Sequence, residues 1–254
     1  MINRTAIYVL WLREMKRFMR AKSRVLGMIS RPLFFLIFLG LGFRKIPITE
    51  LTGNIDYIEF LVPGIIGMAM LFSSVSAGIS LLWDREFGFL KEIMVAPVSR
   101  ISIVLGRIAG GTTTGLIQSL LILFVSFLMG FKLRGIFPLL SSIIFMVLIA
   151  ITFIGLGLIF ASKMKDIHGF GVIMNFIIFP LFFLSGALFP LKNLPKWIQY
   201  VSYTNPLTYG VDGLRGVLTG VSSWPPIFNL VICIGFSTVM VLLGAYLFEK
   251  SEDV

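Results

Sequence analysis

Charge is what this sequence has least of. Only 13% of its 254 residues are Asp, Glu, Lys or Arg, against roughly a quarter in soluble domains, which excludes an ordinary water-exposed globule. A single cysteine, Cys233, excludes an intrachain disulfide and leaves the redox compartment unread. It lies within an apolar run and reads as small filler. The single histidine, His168, has only Asp166 near it in sequence, too little for a metal site or an acid-base pair, and reads as a solvated loop residue. There is no Ser-His-acid set and no Cys/His cluster. No Gly-Lys dipeptide occurs, so the GxxxxGKS/T phosphate loop is absent as well. The chain is not expected to be an enzyme or to bind ATP in that way, and any work it does must be delivered by another subunit at a cytoplasmic surface.

What is present is hydrocarbon. Hydrophobic residues make up 57% of the chain, and six apolar runs approach the ~20 residues needed to cross a bilayer as helix: 25–43, 59–83, 106–130, 139–162, 170–189 and 227–248. A membrane barrel would alternate apolar and polar residues, whereas LLSSIIFMVLIAITFIGLGLIF is apolar on all sides. The expected fold is an all-α polytopic membrane protein with six transmembrane helices, one permease domain over 1–254. Arg31 and Pro32 interrupt the first run early and no small-residue cleavage site follows it, so it is not read as a removed signal peptide.

The net charge of +10 suggests nucleic acid until its placement is considered. Arg4, Arg13, Lys16, Arg17, Arg20, Lys22 and Arg24 precede the first run. Arg85, Lys91, Arg100 and Arg107 flank the second gap, Lys163 and Lys165 the fourth, and Lys250 the tail. The positive-inside rule then puts both termini in the cytoplasm. The basic residues orient the chain and meet anionic lipid headgroups, with no nucleic-acid partner. Within the spans the charged residues are essentially Arg31 and Glu59, both near ends, with Arg107 at the edge of the third run counted among the flanking charges, which argues against proton coupling.

Residues 2–24 place Ile7, Leu10, Trp11, Met15 and Phe18 on one helical face, with Arg13, Lys16, Arg17 and Arg20 largely off it. This predicts an amphipathic interfacial helix over 1–24. Gly64 and Gly67, Gly111 and Gly115, and Gly155 and Gly157 recur at intervals suited to close helix packing in lipid. Ser73, Ser74, Ser76 and Ser80 in the second run, and Thr112, Thr113, Thr114, Gln118 and Ser119 in the third, either line a polar path or bond neighbouring helices; Asn175 and Ser185 in the fifth offer the same choice. The first outside loop, 44–58, carries no motif. The stretch 186–226 is too apolar for a free loop and too broken for a span. Asn205 followed by Pro206 is a helix start, with Leu207, Val211, Leu214 and Leu218 on one face, and a shorter helix from Pro195 presents Trp197, Ile198 and Val201. These short re-entrant helices are expected to cap the outer end of any pathway, with Trp197, Tyr200, Asn205 and Pro206 as outer-gate candidates.

The segment WDREFGFLKEIMVAPVSR, Trp83–Arg100, breaks two apolar runs with charge yet keeps oily residues. A helix from Glu86 to Val95, ended by Pro97, puts Phe87, Leu90 and Met94 on one face with Asp84, Arg85, Glu86, Lys91 and Glu92 as polar edges, while Gly88 weakens it and Ser99 caps the next helix. Apolar anchors inside a charged rim suit a helix laid in a partner's groove.

Here the residues carry a resemblance. EFGFLKEIMVAPVSRISIVLGRIAGGTTTGLIQSLLIL resembles the central signature of ABC type-2 transporter permeases, the membrane subunits of ATP-driven exporters. LSGALFPLKNLPKWIQYVSYTNPLTYGVDGLRG is similar to that family's second signature, and VLWLREMKRFMRAKSRVLGMISRPLFFLIFLGLGF to the start of its daunorubicin-resistance and nodulation-type branch. The resemblance implies a cytoplasmic coupling helix within 84–100, made of Glu86, Phe87, Gly88, Leu90, Lys91, Glu92 and Met94, that docks on a separate ABC ATPase subunit. It implies a permease homodimer, ATP and Mg bound only by the partner subunit, no cofactor in this chain, and the inner membrane of a prokaryote. It places the pathway near the first, second and fifth spans, with Ser73, Ser76, Asn175 and Ser185 as candidates. A lipophilic drug, lipid or glycoconjugate is the expected cargo, with a polysaccharide as the alternative. Outside the family, a channel or facilitator needing no ATP and a membrane scaffold that recruits a regulatory partner remain open.

Overall fold

The computed structural model describes residues 3–43, 47–48, 55–88, 99–164 and 169–251. It is a helical bundle whose elements follow the apolar runs. Helix α1 (Arg4–Arg20) is capped by the Asn3 side chain, which accepts from the Ala6 amide. A break at Ala21 leads into α2 (Lys22–Gly42). A two-residue antiparallel pairing, Pro47–Ile48 with Ile55–Asp56, precedes α3 (Tyr57–Glu86). Then come α4 (Arg100–Leu128), α5 (Ile136–Lys163), α6 (Gly169–Phe183), α7 (Lys196–Tyr203), α8 (Pro206–Thr219) and α9 (Pro226–Ser251). A single 3₁₀ turn, Leu191–Asn193, precedes α7.

Five of the six expected spans are helices long and apolar enough to cross a membrane, among the described residues. The fifth run is a correction. In place of a helix over 170–189, α6 stops at Phe183, and its middle, Met174–Ile178, is wound as a π turn. Pro180 explains the distortion, since it cannot donate to the Phe176 carbonyl and its ring crowds that oxygen. The chain then turns through Gly186, whose φ of 71° favours glycine.

Helix α3 is the axis. It is buried over most of its length, whereas α2 and α9 are largely exposed. At 1.5 Å per residue its 30 residues extend about 45 Å, more than the ~30 Å hydrocarbon core. Where α3 meets α5 the backbones touch: a Cβ on Gly157 would lie 2.7 Å from the Val75 carbonyl oxygen. Gly155 similarly admits the backbone of α9 at Met240. Of the six glycines singled out by spacing, Gly64, Gly155 and Gly157 admit a neighbouring backbone, and Gly67, Gly111 and Gly115 admit the side chains of Val211, Ala77 and Met70, so packing is their role.

Two ends are distinguishable. The basic end carries Arg13, Arg17, Arg85, Arg100, Arg107 and Lys163; the opposite, capped end is closed by α7 and α8. Helix α8 reaches into the bundle: Val211 packs on Gly67 of α3, while Arg215, one turn on, meets the Phe60 carbonyl. Its Leu207, Val211, Leu214 and Leu218 are fully buried.

Candidate functional site

At the basic end, α1, α3 and α4 are fastened by one ion cluster. Asp84 near the end of α3 and Arg107 in the second turn of α4 are 5% and 4% exposed. Arg107 Nη2 donates to Asp84 Oδ2, and its Nη1 donates to Glu14 Oε1 at 2.6 Å and Ser80 Oγ at 2.9 Å. Arg13 donates through both terminal nitrogens to the two Asp84 oxygens at 2.8 and 3.1 Å. Arg17 approaches Glu14 and Asp84 at 3.8 and 3.9 Å. Close approach is possible because α4 presents glycine: a Cβ on Gly110 would lie 2.8 Å from Glu14 Cβ, and one on Gly106 the same distance from Leu10 Cβ. Trp11 Nε1 donates to Thr113 Oγ1 at 3.1 Å, and the Asn3 amide to Ser102 Oγ at 2.9 Å. So α1 runs alongside the first half of α4, which it meets through Leu10, Trp11 and Glu14, where its spacing predicted a helix laid on the membrane surface.

The two carboxylates are held by fixed guanidinium charges. That arrangement suits mechanical coupling more than proton transfer, because removing one partner of a buried pair leaves the other charge uncompensated. It also corrects the sequence reading. Asp84 and Arg107 are not loop or flanking charges but buried residues of α3 and α4, and Arg13 and Arg17 turn into the bundle instead of away from it. The available signal was Glu14, the single acid in residues 2–24.

Next to the cluster is space. A small cleft lined by Glu14, Arg17, Ser76, Ser80, Thr114 and Gln118 adjoins a larger cavity of about 340 Å³, the two sharing Met28, Ser73, Ser76 and Gln118. The larger one lies between α2, α3, α4 and α6. It brings together three of the four pathway candidates, Ser73, Ser76 and Asn175, with Arg31, Met68, Phe72, Met174 and Phe179. Two of its walls are irregular helix: Pro32 leaves the Met28 carbonyl without its helical donor, and the π turn of α6 contains Asn175. Most hydroxyls in the bundle donate to a carbonyl three or four residues back, as Ser80, Thr114, Ser126 and Thr152 do. Ser73, Ser76 and Asn175 hydrogen-bond no group among the described residues.

Ser185 is elsewhere. It sits at the capped end, where its hydroxyl donates to the Phe182 carbonyl at 2.6 Å, in a narrow cleft with Arg215 and Asp212. There Arg215 donates to the Phe60 and Gly186 carbonyls at 3.3 and 2.9 Å and stacks over the Phe60 ring at 3.8 Å. Burial pushes its guanidinium down to about 10, with Asp212 opposing, so it stays protonated at neutral pH. Asp212 accepts from the Ser223 and Trp224 amides and from Asn229 Nδ2, tying α8 to α9. Of the gate candidates, Asn205 is 2% exposed; it caps α8 at the Leu207 amide and donates to the Leu181 carbonyl at 2.6 Å, with Pro206 in the first turn. Trp197 and Tyr200 on α7 are 69% and 68% exposed.

The coupling residues divide. Leu90, Lys91, Glu92 and Met94 lie outside the described residues. Glu86 is the last residue of α3 and does not start a new helix, because Gly88 adopts φ 73° and ends α3 in a left-handed cap. Phe87 in that cap is 74% exposed and stacks on Trp83. Ser99 caps α4 as read, its hydroxyl accepting from the Ser102 amide.

The sequence profile described as ABC-2 type transporter matches residues 5–219. A putative transport permease, ycf38, of Cyanophora paradoxa is 32% identical over 249 residues, 92% of this chain and 85% of the relative. The inner membrane transport permease YadH of Escherichia coli K12 is 29% identical, over 98% of this chain and 96% of its own. A probable doxorubicin resistance ABC transporter permease protein, DrrC, of Mycobacterium tuberculosis is 26% identical, over 87% of this chain and 79% of its own.

Proposed function

The chain belongs to the ABC-2 type transporter family, and from that premise we propose that it is the permease subunit of an ATP-driven exporter. The basic end faces the cytoplasm and receives a separate ATPase, which supplies the ATP and Mg that this chain has no loop to hold. Two copies form the working permease in the cytoplasmic membrane of a prokaryote. The cargo is a lipophilic drug, lipid or glycoconjugate, a polysaccharide being the alternative within the family.

One observation carries this reading. The segment from Phe87 to Ser99 leaves α3 three residues after Asp84 and joins α4 eight residues before Arg107, and those two side chains are bonded to each other and to α1. A displacement imposed on the segment therefore moves α1, α3 and α4 together, and the cleft beside Glu14 and Ser80 opens into the cavity with Ser73, Ser76 and Asn175. Movement enters at the basic end, and the α7–α8 cap yields at the other. Within the coupling segment Phe87, Leu90 and Met94 are the docking anchors, with Glu86, Lys91 and Glu92 at the rim. A double substitution, Phe87→Asp with Leu90→Asp, is expected to abolish co-purification of the ATPase and transport while membrane insertion persists. Retention of both activities defeats the docking assignment and favours a channel.

A further inference from the structure

The proposed pathway cavity has a charge character that narrows the cargo. Among the described residues its lining includes one ionisable side chain, Arg31, and no carboxylate. Arg31 lies six residues into the apolar stretch that begins at Val25, about 9 Å along the helix, where an unpaired cation is costly. No carboxylate among the described residues comes within ion-pair distance of it, and its one aromatic neighbour is Phe179, whose ring centre is 5.8 Å away. The two arginines buried in the bundle are matched, at opposite ends: Arg107 meets Asp84 and Glu14, and Arg215 meets carbonyls and a ring.

The rest of the lining sorts by polarity. Met68, Phe72, Met174 and Phe179 are apolar and flexible or flat, while Ser73, Ser76 and Asn175 keep free hydrogen-bonding groups. Arg31 and Asn175 are exposed and mark the mouth; Ser73 and Gln118 are buried and mark the floor. We propose that this cavity binds an amphiphile with an anionic headgroup, the headgroup paired with Arg31 and Asn175 and the chain laid on Phe72, Phe179 and the methionines. A guanidinium presents planar donors suited to phosphate or carboxylate. A cationic drug meets repulsion there, since the nearest described acid, Glu14 in the adjoining cleft, is already paired with Arg107. The inference rests on the pathway reading for its link to export but not for binding itself.

The test uses the full chain purified in dodecyl maltoside, with pyrene-labelled phosphatidylglycerol and pyrene-labelled phosphatidylcholine of the same chain length. Phosphatidylglycerol is expected to bind about tenfold more tightly, the worth of one charged hydrogen-bonded contact. Arg31→Gln should erase that preference, Arg31→Lys should keep most of it, and Arg20→Gln, on the exposed side of α1, should leave it unchanged. Equal binding of the two lipids, or an unaltered preference in Arg31→Gln, overturns the proposal. Displacement of the lipid by equimolar glycerol phosphate also overturns it, showing a site for a soluble anion. The same lipid is then added to the permease reconstituted with its ATPase. Arg31-dependent binding without stimulated ATP hydrolysis keeps the site as that of a resident lipid and removes the export reading of the cavity; stimulation lost in Arg31→Gln sustains both.

Discussion

The two ends of the bundle hold their polar groups in different ways. At the basic end, charges on three separate helices pair with one another beside open space. At the capped end, Arg215, Asp212 and Asn205 bond mainly to backbone inside a nearly solid plug around α8. Side-chain pairs between helices let those helices move as units and still stay joined, whereas backbone contacts fix a segment's own shape. The difference fits an energy input at one end and a closure at the other.

Three substitutions probe that contrast. Asp84→Ala leaves Arg107 and Arg13 without their shared acceptor and is expected to cost about 3–5 kcal/mol, read as a lowered melting midpoint in detergent. Adding Arg107→Met should recover much of the loss, and no recovery would mean that the pair does not act as a unit. Arg215→Met at the other end removes the donors to the Phe60 and Gly186 carbonyls and the ring contact, for about 2–3 kcal/mol. If it costs more than Asp84→Ala, the ranking of the two ends reverses. Trp197→Ala, on the exposed face of α7, should change the midpoint by the equivalent of no more than about 0.5 kcal/mol. A larger loss would bring α7 into the plug, against its exposure.

The long helices were legible because their signal is summed over many residues: apolar runs set α2 to α5 and α9, and Asn205–Pro206 and Ser99 set helix starts by local chemistry. The fifth run was not, because a proline's effect on winding depends on whether the neighbouring helices let a π turn open. The cavity was half legible. Ser73, Ser76 and Asn175 stood out as polar residues in apolar surroundings, but nothing in their spacing tells them from Ser185, whose hydroxyl is consumed by its own turn. The ion cluster was missed because its members lie 93 residues apart in one pair and 71 in another, and each one alone looks like an orientation charge.

That separation along the chain also sets an order of assembly. Helix α1 is made before α3 and α4, and Glu14 meets Arg107 only after 93 more residues have been added, a wait of roughly 5–20 s at common rates of synthesis. Until Asp84 is made, its arginines have Glu14, lipid headgroups and water as their partners. When α3 and α4 arrive, the same side chains change partners, and the anchor becomes a brace. A lesion at Asp84 would therefore be felt late in biogenesis, as a correctly inserted chain that never locks.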